Sequence, residues 1–368
     1  MALTLHGTVA DNTAVLDRRS AKPLIINGDM QVAQRATSVT GSTTGGYTTV
    51  DRMSLSIGTL GTWTIAQTAS APDNTGLTNS YRLDCTTADA SPAAGDYAIF
   101  NTRLEGQDVQ LFKKGTSYAE KMTVSFWVKS NKTGTYIMEL DDNDNARNIN
   151  QAYTISSANT WEKKVLSFAG DTTGAFDNDN GDSLRLLWWL GSGSDFSSGS
   201  LQTAWASTTN ANRAVGNVNL ADSTDNDWSI TGIQLEVGEF DANSIAPFQH
   251  ESFGDNLARC QRYYFMLVNE NSKNFAAGGY YNANLFATNI PFPVTMRSAP
   301  SVDKEVGSNF YNILANNTAD ACDDFALVRA STTCAGLDFT TNVSGTQGHG
   351  GVIATGSASA QIAFESEL

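Results

Sequence analysis

The sequence predicts an all-β protein: two β domains joined by a short helix. Three observations carry this. Only 17% of the 368 residues are charged, whereas long helices are dense in Glu, Lys and Arg. The polar character comes instead from Ser, Thr, Asn and Gly, beside 10% aromatics, which is the chemistry of strands and turns. Several stretches alternate apolar and polar residues with period two, and only two have helical spacing. A chain of this length buries at least one full core without staples.

Residues 1–22 read as an extended arm with little periodicity, and Lys22–Pro23 disfavours helix at its end. Such an arm gains order only by packing on something else. The first twenty residues carry His6, Asp11, Asp17, Arg18 and Arg19 and lack the apolar run of a signal peptide. No run of about eighteen apolar residues occurs, so no membrane insertion is expected. These features predict a soluble protein made in the cytoplasm without export.

Strands begin at Leu24. The clearest spans Lys121–Lys129, with Met122, Val124, Phe126 and Val128 on one face. Asn131-Lys132-Thr133-Gly134 reads as a turn, and Tyr136, Met138 and Leu140 resume the alternation, so a hairpin is expected. Leu184, Leu186, Trp188 and Leu190 form another face, with Arg185, Leu187 and Trp189 opposite. Both faces are apolar near the end of this strand, which predicts a central strand covered on both sides. Trp228 and Ile230 alternate, then Ile233, Leu235 and Val237 alternate in the other phase. The slip at Gly232 predicts a β-bulge.

Gln107–Lys113 reads as a short helix ended by Gly115. Ser252–Tyr264 is a second, with Phe253, Leu257, Cys260 and Tyr264 at helical spacing and Ser252 and Asp255 at its start. The domain boundary is placed there. After it come strands interrupted by Pro291, Pro293 and Pro300. No fixed-period repeat is present, which disfavours solenoids and propellers. The loops Asp141–Asn148, Gly170–Asp182 and Gly191–Asp227 are long and polar, a pattern of functional or assembly segments.

The formal charge of −15 argues against nucleic-acid binding, which needs a basic face. Cys85, Cys260, Cys322 and Cys334 form no CxxC or Cys/His cluster, so a zinc site is not expected. They read as free thiols, with a Cys322–Cys334 pair across a hairpin as the other reading. Asp141, Asp142 and Asp144 lie together, as do Asp177, Asp179 and Asp182. Clustered carboxylates beside Asn carbonyls suit Ca²⁺, and solvated turns demand the same residues. The second run lacks the Gly and Glu positions of an EF-hand loop.

Seven tryptophans offer faces that stack on sugar rings. Trp188 and Trp228 read as core. Trp205 in the long polar loop and Trp161 at the start of a strand are the candidates for glycan contact. No GxSxG, Walker, GxGxxG or HExxH pattern occurs, and no enzyme is expected.

Several motifs resemble a family. Asn27-Gly28-Asp29-Met30-Gln31-Val32-Ala33-Gln34-Arg35, followed by Tyr47-Thr48-Thr49-Val50-Asp51-Arg52, is similar to the opening of a domain common in bacteriophage tail-fibre and related virion proteins. Met53 stands where that family usually has Trp. Further matches are Leu104–Val109, Thr123–Ser130, Thr160–Lys164, Gly170–Gly174, Ile233–Gly238, Asn256–Tyr264 and Ile290–Pro300. Gln249 and Glu251 depart from the family's charge pattern in the Pro247-Phe248 stretch.

The resemblance implies a carbohydrate-binding-module-like jelly-roll β-sandwich over residues 23–250, a helical linker over 251–264 and a smaller C-terminal β-sandwich over 265–368. It implies a non-enzymatic structural virion protein, usually a homotrimer, that contacts host-surface polysaccharide. Residues 1–22 are expected to attach it to other tail or capsid proteins or to swap between subunits. It is expected on the particle, made in the host cytoplasm without a signal peptide. Two rivals stand beside this reading: a capsid decoration or tail-connector protein without sugar binding, and a polysaccharide depolymerase.

Overall fold

The computed structural model describes residues 22–368, and their backbone is overwhelmingly extended. Apart from Lys22, the expected N-terminal arm lies outside the described residues. The strands of the two N-terminal sheets are β1 (Ser38–Ser42), β2 (Gly45–Gly46), β3 (Ser54–Gly58), β4 (Thr62–Thr68), β5 (Ser80–Thr87), β6 (Tyr97–Glu105) and β7 (Met122–Ser130). They continue with β8 (Gly134–Asp142), β9 (Arg147–Ile155), β10 (Glu162–Phe168), β11 (Asp182–Ser192), β12 (Ala206–Ser207) and β13 (Asp227–Val237).

A six-stranded sheet runs β1-β4-β5-β13-β7-β10, and a seven-stranded sheet runs β12-β9-β8-β11-β6-β3-β2. The central pairs, from β4-β5 through β13 and β7 to β10 in the first and from β12-β9 through β8 and β11 to β6 in the second, run antiparallel. The sheets stack as a jelly-roll β-sandwich, because period-two strands each bury one face. Aromatic rings bridge the layers. Phe100 of β6 lies 4.8 Å from Tyr81 of β5 and 5.5 Å from Trp228 of β13. Phe126 of β7 lies 5.2 Å from Tyr153 of β9 and 5.4 Å from Trp188 of β11. Trp188 and Trp228 are thus core, as read from their alternation.

The expected bulge is present. Thr231 pairs with Trp127 and Gln234 with Ser125, so β13 carries one residue more than β7 between those pairs. Gly232 supplies it at φ +63°, and a Cβ there would meet Leu77 at 2.8 Å.

The expected hairpin at Asn131 is not. β7 pairs with β10 and β13, whereas β8 pairs with β9 and β11, so the turn carries the chain from one sheet to the other. Alternation requires only a buried face, and an arch between stacked sheets satisfies that as well as a hairpin does. What steers the turn is Asp227. The Asn131 amide N–H donates to its carboxylate (3.3 Å), and the Asp227 amide N–H donates back to the Asn131 side-chain oxygen (2.9 Å). The expected helix at Gln107–Lys113 is two single 3₁₀ turns, Gly106–Asp108 and Gln110–Phe112.

The chain divides into two compact units. The first holds residues 22–29, Thr40–Gly45 and Leu55–Glu251. The second holds Met30–Val39, Gly46–Ser54 and Ser252–Leu368. Two stretches expected in the first domain therefore belong to the second, and so does the helix Phe253–Gln261, expected as a linker. Ser252 caps that helix by accepting from the Asp255 amide at 3.1 Å.

The second unit adds β14 (Tyr264–Val268), β15 (Asn274–Asn282), β16 (Leu285–Pro291), β17 (Ser301–Glu305) and β18 (Tyr311–Ala315). It continues with β19 (Thr318–Cys322), β20 (Phe325–Val328), β21 (Cys334–Phe339), β22 (Gly350–Thr355) and β23 (Gln361–Glu365). A three-stranded sheet, β14-β23-β17, shares one core with a seven-stranded sheet, β19-β18-β22-β15-β16-β21-β20. Only Asp323 and Asp324 separate β19 from β20, which are the two edges of the larger sheet. Laid flat, seven strands would hold those edges about 29 Å apart, and such a link spans about 11 Å at most. The sheet therefore curls until its edges approach. All four cysteines are free thiols, and Cys322 and Cys334 are not joined.

Residues of three of the family-like motifs, those around Arg35, Arg52 and Tyr264, meet inside this second unit. The Arg35 guanidinium sits 3.6 Å from the Tyr264 ring centroid, and that of Arg52 sits 3.5 Å from Tyr263. Both arginines pair with Glu367. Asp51 accepts from the Gln34 amide (3.0 Å) and side chain (2.5 Å). Arg297 donates to the carbonyls of Ser366 (2.7 Å) and Glu367 (2.8 Å). These residues clasp the end of the chain.

Candidate functional site

The outer face of the seven-stranded sandwich sheet is formed by the side chains that alternate away from the core. On β6 these are Tyr97, Ile99, Asn101 and Arg103. On β11 they are Arg185, Leu187 and Trp189, and on β8 they are Ile137, Glu139 and Asp141. The long polar segment after β11 folds back over one end of this face. There Phe196 and Ala214 cover Ile137, Leu187 and Trp189, which is why the central strand is buried on both sides. The rest of the face stays open as a cavity of about 290 Å³, lined among others by Tyr97, Asn101, Arg103, Asp141, Arg185 and Arg213.

One end of the cavity is aromatic. Phe196 packs 5.5 Å from Tyr97 and 5.3 Å from Trp189. The other end is ionic. The Asp182 Oδ2 atom accepts from Arg185 Nε at 2.8 Å and from Arg103 Nη1 at 3.4 Å. Arg185 also reaches Asp141 at 3.5 Å. Burial pushes the Asp141 carboxyl above its ordinary value, against the pull of Arg213 and Arg185. Asn101 presents its side chain between Ser56 (3.1 Å) and Arg103 (3.4 Å). An apolar ring wall beside fixed donors and acceptors is what a pyranose requires, with C–H faces in one plane and hydroxyls at its rim.

Beneath the cavity lies Glu139, fully buried. It accepts from Trp189 Nε1 at 2.7 Å, Arg213 Nε at 2.9 Å and Asn148 Nδ2 at 3.1 Å. Burial raises its carboxyl to about 6 from 4.5; Arg213 and the Trp189 bond oppose the rise, and Asp141 adds to it. The folded state therefore holds this proton more tightly than the unfolded chain. The stabilising effect of protonation is full below about pH 4.5 and is lost as pH climbs through about 6, a change of about 2 kcal/mol. Replacing Glu139→Gln should remove that slope. Urea unfolding of both proteins at pH 4 and pH 7 should show the gap between them moving by about 2 kcal/mol in favour of the variant at the higher pH; a constant gap would contradict the assignment.

The six aspartates singled out for calcium are not brought together. Asp141 and Asp182 serve the arginines above. Asp142 accepts from the buried Lys114 at 2.5 Å and from the Asp144 and Asn145 amides (3.1 and 3.2 Å). Asp144 accepts from the Asp177 amide (2.9 Å), and Asp179 from the Gly181 amide (2.7 Å). Among the described residues no group of three or more His, Cys, Asp or Glu side chains is placed to hold a metal ion.

Trp161 and Trp205 do not line the sheet-face cavity. Trp161 is half-buried, with Lys129 Nζ 5.1 Å from its ring. Trp205 donates through its indole to the Ala169 carbonyl (2.7 Å) and shields Lys114, whose Nζ lies 5.2 Å from its ring.

A larger cavity of about 500 Å³ lies beside Lys114, walled by Phe176 and the exposed Tyr118. Lys114 there is spent on Asp142 and Asp171, and the Gln110 amide on the carbonyls of Gly106, Phe176 and Asp177. The smaller sheet-face cavity combines aromatic rings with several charged side chains, among them Arg213, which is bonded through Nε alone, and is the better candidate site. Sequence reasoning missed Arg103, Arg185 and Arg213. The period-two order Tyr97-x-Ile99-x-Asn101-x-Arg103 was the available signal, since it leads from apolar to polar along one face.

No family model matches the sequence, and no curated protein matches it. Among solved structures, the enzymatically active domain of tailspike protein 4 of bacteriophage CBA120 is similar over 58% of this chain and 21% of that one, at 12% identity and TM-score 0.30. The family 11 carbohydrate-binding module of the cellulosomal cellulase Lic26A-Cel5E of Clostridium thermocellum is similar over 60% of this chain and 98% of that one, at 10% identity and TM-score 0.26. The C-terminal family 22 carbohydrate-binding module of Clostridium thermocellum Xyn10B is similar over 54% and 91%, at 12% identity and TM-score 0.27.

Proposed function

We propose that this chain is a structural subunit of a bacteriophage tail fibre or spike, assembled as a homotrimer, that binds host-surface polysaccharide on the outer face of its seven-stranded sandwich sheet. The observation that carries the binding reading is the open cavity with Tyr97 and Phe196 at one end and Arg103, Asp141 and Arg185 at the other. The virion reading is supported by the motifs at 27–35, 47–52, 123–130 and 256–264. In it, residues 1–22 join the subunit to the particle or to a neighbouring copy.

The reading is one of binding, not cleavage. Asp141 and Asp182 each pair with Arg185, and Glu139 lies sealed under Arg213. Immobilised surface polysaccharides from candidate hosts should retain the full chain. The double substitution Tyr97→Ala with Arg185→Gln should weaken retention roughly tenfold or more, about 1.4 kcal/mol. Trp161→Ala and Trp205→Ala should leave it within twofold. Retention that falls with the tryptophans and not with Tyr97 and Arg185 would move the site. Shortened polysaccharide after incubation would make the protein a depolymerase.

A further inference from the structure

We propose that the sugar held on this face carries a carboxylate, so that the ligand is an acidic polysaccharide of the uronic-acid type. The inference rests on the glycan-binding reading above and names the ligand class of that site.

The argument is one of layering. Three guanidinium groups line one cavity of a chain whose formal charge is −15. Their counter-charges lie deeper. The side chains of Glu139, Asp141 and Asp182 are 0%, 11% and 13% exposed, whereas those of Arg213, Arg185 and Arg103 are 16%, 28% and 26% exposed. Of the three carboxylates only Asp141 lines the cavity beside the guanidiniums, and Glu139 and Asp182 lie behind them.

Arg213 is the best placed. Glu139 grips it through Nε alone, at 2.9 Å and 3.2 Å to the two carboxylate oxygens. Its guanidinium carbon lies 5.2 Å from the Trp189 ring centroid. Among the described residues its two terminal nitrogens make no hydrogen bond. A guanidinium pinned at Nε offers the remaining pair of N–H groups in a fixed plane. That fork matches a planar carboxylate in a way that lone hydroxyls do not. Arg103 and Arg185 stand beside it with a terminal nitrogen already engaged, Arg103 Nη1 on Asp182 at 3.4 Å and Arg185 Nη1 on Asp141 at 3.5 Å, so they add positive charge while Arg213 supplies the fork. A neutral sugar would offer the Arg213 fork only oxygen atoms of lower charge. The net −15 repels a polyanion only at long range, since salt screens it beyond about 8 Å.

The test uses the full chain against polygalacturonate, alginate and hyaluronate, each presented native and after its carboxylates have been reduced to alcohols. Reduction changes only the ligand, so no variant needs to fold. Native polymer should bind at least tenfold more tightly than its reduced form, and the difference should shrink with added salt. Arg213→Gln, checked for native tryptophan emission, should lose the same factor, and Arg213→Lys should recover only part of it. Equal binding of native and reduced polymers, or binding only to a sulfated polymer such as dextran sulfate, would overturn the inference and leave the glycan reading standing. Binding to no polysaccharide of any charge would overturn both.

Discussion

Replacing Lys114→Met should destabilise the sandwich by about 3–5 kcal/mol, the range for breaking a buried ion pair on one side. The Lys114 side chain has no exposure, and its ammonium is held by Asp142 (2.5 Å), Asp171 (3.1 Å) and the carbonyls of Thr173 (2.9 Å) and Gly174 (2.7 Å). Phe176 and Trp205 close over it. Methionine fills the stem's volume but leaves two buried carboxylates facing each other. Asp171 keeps Arg147 at 2.7 Å, so Asp142 bears most of the loss. Burial raises the Asp171 carboxyl, but Arg147, the Thr173 amide and Lys114 more than offset that and hold it below its ordinary value. All seven tryptophans lie in the first unit, so the urea midpoint by tryptophan emission reports this unit. A loss under about 1 kcal/mol would mean that the lysine is an exposed pair's equivalent.

The second large effect is expected at Arg52→Met, with a loss of about 3 kcal/mol confined to the second unit. Arg52 and Glu367 expose only 2% and 5% of their side chains. Burial alone would lower the guanidinium's proton affinity, and the adjacent Glu367 more than reverses that. Glu367 retains Arg35 at 3.3 Å, which puts the loss at the low end of the range. Arg52 adopts φ +68°, and methionine meets the same backbone strain, so the difference reports the side chain. Hydrogen exchange should speed up in Tyr263–Tyr264 and at the C-terminal strand Gln361–Glu365 more than in β6 or β11. Equal acceleration in both units would contradict the assignment of residues 46–54 to the second.

The all-β class was legible because period two is a direct record of a one-sided strand. Leu184–Leu190 and the slip at Gly232 were read correctly for that reason. Which sheet a strand joins was not legible, because a face buried in a hairpin and a face buried across a sandwich leave the same pattern. Asn131 shows this: its turn is set by Asp227, almost a hundred residues away. The motifs around Arg35 and Arg52 look local to the N-terminal domain, yet their partners are Tyr263, Tyr264 and Glu367. The aromatic search picked Trp161 and Trp205 by their polar surroundings, and both are engaged by cations. The sheet-face cavity is lined by Tyr97, Trp189 and Phe196 together with arginines whose charges were invisible in a net balance of −15.

Hydrogen-exchange footprinting of the full chain with and without a bound surface polysaccharide tests the central claim most directly. Protection is expected at residues 97–103, 137–141, 185–189 and 210–213 together. Protection confined to residues 110–118, 161 and 205, or to the second unit, would contradict it.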